Sequence, residues 1–187
     1  MPMIQSLPVV PSLSPRDRWN TALPLDAFVA HAEMNQKLWA MTLQRARLTE
    51  AHSARAVAIP GTWHLLVLLE DWCGDAVNSV PYVQRIADAN PAITVRVIQR
   101  DAHLDLMDEH LTNGARAIPI VLLYDAQFTL HGVWGSRPAA LQRWVLDHGM
   151  ALDKEARYKE VRTWYVRDRG ATVVNELLTR LEHAAIR

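Results

Sequence analysis

The chain has 187 residues, half of them hydrophobic and 21% charged, with 20 basic and 20 acidic side chains that cancel. This is the composition of one globular domain, and its balanced charge argues against a nucleic-acid or anionic-membrane partner. A single cysteine excludes an internal disulfide, the eight histidines lie outside any metal-ligand spacing, and no continuous apolar run reaches membrane-spanning length, so neither metal, cofactor nor bilayer is expected.

Prolines at 2, 8, 11 and 15, with no basic run ahead of an apolar one, make residues 1–18 read as a proline-rich arm and not an export leader. Together with the lone cysteine, this points to a cytoplasmic, reducing home. Residues 19–187 read as a single domain with its core at about 60–150 and helical extensions over 24–50 and 151–185. In the first extension Leu25, Phe28, Val29, Leu38 and Trp39 recur at near-helical spacing.

The run from His64 to Glu70 is apolar on both faces and too short for a helix, which suits a buried central strand. Asp71 to Asp75 follows as a turn. Val77, Val80, Val83 and Ile86 then recur every three or four residues until Asn90 and Pro91, predicting an amphipathic helix and its stop. Ile93 to Ile98 alternates as a strand. Asp101 is placed to cap a further helix that carries Leu104, Met107 and Leu111 and ends near Asn113 and Gly114. Ile118 to Tyr124 and Phe128 to Trp134 read as a hairpin, Pro138 opens another helix, and two more follow on either side of Gly170. The order predicts an α/β fold with a central mixed sheet flanked by helices.

These features together resemble the thioredoxin superfamily. Glu70, Asp71, Trp72, Cys73, Gly74 and Asp75 stand where that family carries its W-C-G-x-C turn, and Pro81 matches the proline inside its active-site helix. Arg116, Ala117, Ile118 and Pro119 resemble the segment whose cis-proline faces the cysteine, and residues 125–135 resemble the closing hairpin. The wording around Cys73 is also similar to a single-cysteine bacterial thioredoxin-like branch with a WCGD motif. The resemblance implies a thioredoxin-like fold with extra helices at both termini. Two departures stand out: Ala76 replaces the second cysteine, and Val67 occupies the position of the family's buried aspartate.

Cys73 is therefore the candidate nucleophile. A helix N-terminus favours its thiolate, Asp71 and Asp75 oppose it by like charge, and Arg116 is placed to offset them. Trp72, Ile118 and Pro119 are expected to form an apolar rim that binds substrate, with Trp134 and Arg137 nearby as modulators. Two functions follow. One is a monothiol thiol–disulfide oxidoreductase acting on mixed disulfides, with a low-molecular-weight thiol or a protein mixed disulfide as partner. The other is a redox-inactive thioredoxin-fold binding module. The terminal helices leave a homodimer open.

Overall fold

A computed structural model describes residues 13–186. Its sheet is four-stranded in the order β2-β1-β3-β4, built from β1 (Trp63–Leu69), β2 (Ile93–Gln99), β3 (Ile120–Asp125) and β4 (Leu130–Gly135). β2 lies parallel to β1, while β3 pairs antiparallel with both β1 and β4. The two central strands are the two most apolar runs. Leu65 to Leu69 and Val121 to Leu123 are fully buried because helices cover both faces.

The helices are α1 (Pro15–Thr21), α2 (Leu25–Ala30), α3 (Gln36–Arg45), α4 (Glu50–Ala58), α5 (Gly74–Ala89), α6 (Leu104–Asp108), α7 (Ala139–Asp147), α8 (Lys154–Asp168) and α9 (Ala171–Ala185). α5 crosses from β1 to β2 and buries Val77, Val80, Val83 and Ile86, with Pro81 inside it. Pro81 has no N–H to give the Val77 carbonyl four residues back, yet the burial of its neighbours keeps the helix continuous. α9 packs on α5, α4 and β4, with Val173, Leu177, Leu178 and Leu181 facing inward. α7 and α8 form a smaller apolar cluster of Leu141, Val145, Val161 and Tyr165.

Three expectations are corrected. The proposed arm falls mainly on residues outside those described, but from Pro15 the chain is helical: Ser14 accepts the Asp17 N–H, and proline fills the first helical position. Its Arg18 then forms a 2.5 Å ion pair with Asp105. Asp101 does not cap α6. His103 occupies the N-cap position without a side-chain bond, while the Asp101 amide donates to Glu70 at 2.9 Å. α6 also ends at Asp108, because Leu111 is left 44% exposed and gives a further turn nothing to pack against. The helix α4 was not expected; Thr49 caps it through the His52 amide.

No helix among the described residues is long and apolar enough to cross a membrane.

Candidate functional site

β1 delivers the chain to the Asp71–Trp72 turn, and Cys73 becomes the N-cap of α5. Its Sγ lies 3.4 Å from the Ala76 amide, accepting from it as a capping oxygen would. On its other side the thiol donates to the Ile118 carbonyl at 3.3 Å. The Ile118–Pro119 peptide is cis. The sulfur is thus clasped between a helix terminus and the loop entering β3, and the residue is only 7% exposed.

That enclosure decides the protonation state. Burial pushes the Cys73 thiol up to about 11; the Asp75 charge adds to the effect, against the smaller pull of the helix amides and Arg137. The helix terminus, expected to favour thiolate, is outweighed by desolvation. Because the folded state holds this proton more tightly than the unfolded chain, whose thiol titrates near 8.5, the stabilisation is complete below about pH 8.5. It fades as pH rises towards about 11. Urea denaturation of the wild-type chain is therefore expected to lose up to about 3 kcal/mol across that alkaline window, and Cys73→Ala should lack this limb.

Asp75 is not a solvated charge on the first turn of α5: the residue is only 7% exposed. Its Oδ2 pairs with Arg137 at 2.7 Å and its Oδ1 accepts the Tyr165 hydroxyl at 2.9 Å. Burial raises the Asp75 carboxyl above its usual range, with the Arg137 guanidinium opposing that rise. Burial also lifts the Tyr165 phenol well above its ordinary value, reinforced by Asp75. Arg137 Nε and the Ser136 hydroxyl are buried and have no hydrogen-bond partner among the described residues.

Gly135 lets this arrangement close. A Cβ there would lie 2.2 Å from the Pro119 carbonyl oxygen, and the φ of +139° suits glycine. The end of β4 can thus press against the proline loop and carry Arg137 to Asp75.

Other expected site residues lie elsewhere. Asp71 faces away from the sulfur: one carboxylate oxygen accepts the Glu33 and Met34 amides, each at 2.8 Å, and its carbonyl accepts Trp39 Nε1 at 3.0 Å. It pins the α2–α3 loop to the end of β1. Asp71→Ala should cost about 1–2 kcal/mol in urea unfolding while leaving the alkylation rate of Cys73 unchanged. Arg116 does not offset the carboxylates either, because it is exposed and engaged with Asp108 at 2.7 and 2.9 Å. Trp134 is core, 1% exposed, with its Nε1 donating to Glu176 at 2.6 Å. Trp72 stays at the surface beside Cys73, 42% exposed, with the Arg100 guanidinium over its ring at 5.0 Å.

Cys73, Ile118, Pro119, Asp75 and Arg137 are therefore brought together, and Tyr165 joins them from α8. A buried tyrosine needs a partner for its hydroxyl, and Asp75 supplies it; nothing in the local sequence marked this residue.

The fold and the position of this cysteine define a thioredoxin-like protein. A family model described as Thioredoxin matches residues 22–172, and the chain belongs to that family. Among solved structures, it is similar to a protein of unknown function, PA1234 from Pseudomonas aeruginosa, at 24% identity over 92% of this chain and 99% of that one, with a TM-score of 0.73. An HIV 4E10 epitope scaffold is similar at 23% identity over 91% and 99% of the two chains, with a TM-score of 0.74. At these identities the likeness concerns the fold. No curated protein matches the chain.

Proposed function

We propose that this thioredoxin-family protein is a monothiol exchange protein working in a reducing compartment such as the cytoplasm, with Cys73 stored as the neutral thiol. The observation that carries this reading is the buried cluster of Asp75, Arg137 and Tyr165 beside the only thiol. Replacing a buried ion pair by apolar side chains of similar volume is often neutral or stabilising, so folding alone does not call for one here. A perturbed carboxylate beside a nucleophile is what proton transfer requires. The orphaned Arg137 Nε and Ser136 hydroxyl add further cost that packing does not explain.

In the proposed cycle a mixed disulfide docks on the exposed Trp72, and the Ile118–Pro119 loop, buried at rest and so not the open rim expected from the sequence, moves aside to free the thiol from the Ile118 carbonyl. Cys73 attacks one sulfur of the substrate, a new S–S bond forms to Cys73, and the old one breaks. The Cys73 proton passes through Asp75 to the departing thiolate. A second low-molecular-weight thiol then attacks the Cys73 mixed disulfide. It leaves as a new disulfide and returns the proton to Cys73, so two thiol electrons are exchanged and no resolving cysteine is needed.

The burial of Cys73 and its raised titration favour a second reading, a redox-inactive binding module. Incubation with oxidised glutathione, followed by intact mass, separates the two. The exchange reading expects an adduct on wild type at pH 7, none on Cys73→Ser, and formation slowed by about 100-fold in Asp75→Asn. It also expects the rate of that variant to rise only at alkaline pH. Absence of any adduct on folded wild type would leave the binding module.

A further inference from the structure

Away from Cys73, a cavity of about 850 Å3 opens where α3 and the start of α4 face α5, α8 and the start of α9. Its apolar wall is built by Leu38, Met41, Tyr82, Val166 and Val174, with the polar side chains of Thr42, Thr49, His52 and Asn78 beside it. Of these, Met41 is 36% and Val166 73% exposed, so apolar surface is left uncovered inside it.

The charge around this cavity is one-sided. Arg45, Arg47, Arg162 and Arg169 line it against one acid, Asp168, an excess of three positive charges in a chain whose total is zero. Asp168 is already occupied by the amide and hydroxyl of Thr172. Arg47 donates to the Gln44 and Ala46 carbonyls. Arg45, Arg162 and Arg169 have no ion-pair partner among the described residues. They approach the cavity from α3, α8 and the α8–α9 junction, so the positive charge surrounds an apolar interior.

Apolar walls with a few convergent polar groups, at a volume of roughly 300–1,000 Å3, are the pattern of small-molecule sites. Guanidinium groups suit carboxylate and phosphate, which they bind through paired donors. We propose that this cavity binds an amphipathic organic anion, with its apolar body against Leu38, Met41, Tyr82 and Val174 and its anionic head among Arg45, Arg162 and Arg169. Cys73, Asp75 and Arg137 do not line the cavity, while Tyr165, whose hydroxyl bonds to Asp75, forms part of its wall; the anion site therefore borders the thiol site without using its sulfur.

The test uses 1-anilinonaphthalene-8-sulfonate as probe and N-phenyl-1-naphthylamine, its counterpart without the sulfonate, as the neutral comparison. Titration of the full chain followed by fluorescence should give saturable, one-to-one binding of the sulfonate, with the neutral compound weaker by at least about tenfold. Arg45→Gln/Arg162→Gln, and separately Arg169→Gln, should weaken the sulfonate by a similar factor and leave the neutral compound unaffected. All three side chains are exposed, so unchanged thermal melts are expected. Competition by dodecanoate and by dodecyl phosphate then tells which head group the arginines prefer. Non-saturable binding, equal affinity for the charged and neutral probes, or full sulfonate affinity in both arginine variants would overturn the proposal.

Discussion

Arg137→Met is expected to destabilise the protein by about 3–5 kcal/mol, the usual cost of breaking a buried ion pair from one side. The pair joins Arg137 to Asp75 at 2.7 Å, with side chains 20% and 8% exposed. Without the guanidinium, the Asp75 carboxylate keeps only the Tyr165 hydroxyl as a charge-stabilising side-chain partner. For a chain of this length each kcal/mol moves the melting temperature by roughly 2–4 °C, so a fall on the order of 10 °C should appear in a calorimetric scan at pH 7. The loss should shrink towards pH 5. Burial already raises the Asp75 carboxyl, and with its cation gone it is raised further, so it takes up a proton and ceases to be an unpaired charge. Asp75→Asn/Arg137→Met should recover at least half of the loss, since the charge is gone and an amide oxygen still accepts from Tyr165. Equal destabilisation of the single and double variants would mean that packing of the Arg137 stem, not its charge, was what mattered.

Gly135→Ala should be comparably damaging, at about 3–5 kcal/mol, combining backbone strain with overpacking. The new methyl would meet the Pro119 carbonyl oxygen at 2.2 Å and the Ile120 Cα at 3.1 Å, both backbone atoms that cannot rotate aside. Either β4 or the proline loop must shift, and the proline loop also carries the Ile118 carbonyl that holds the Cys73 thiol. The variant is therefore expected to gain Cys73 alkylation rate along with its fall in urea midpoint. Gly132→Ala, three residues earlier on the same strand, meets nothing nearer than 3.9 Å and serves as the comparison. It should stay within about 1 kcal/mol of wild type. A tolerated alanine at 135 would show that the close approach of the two loops is not required.

The sheet and α5 were legible because their residues state their surroundings locally. Leu65 to Leu69 is apolar on both faces, α5 repeats valines and isoleucine at helical intervals, and Ile93 to Ile98 alternates. The position of Cys73 followed from the same logic, as the last residue between a strand and a helix. The charges were harder to read, since their direction depends on what tertiary closure brings near. Asp71 and Asp75 flank the cysteine almost symmetrically in sequence. One turns to the α2–α3 loop and the other inward to Arg137, 62 positions later in the chain. Arg116, beside the proline, found Asp108 eight residues away. Tyr165 reaches Asp75 across 90 positions, with no local feature separating it from an ordinary core tyrosine. The short helices α1 and α4 did carry signals, namely Ser14 before Pro15 and Thr49 before Glu50, but few apolar residues followed to make a periodic pattern.

The only thiol of this thioredoxin-family chain rests neutral, clasped between α5 and the Ile118 carbonyl. The pH dependence of Cys73 alkylation by iodoacetamide, followed by intact mass on the folded protein, tests it most directly. The rate should stay low through neutral pH and climb only as the pH approaches about 11. An alkylation curve with its midpoint below the free-thiol value of about 8.5 would show a resting thiolate and contradict the account.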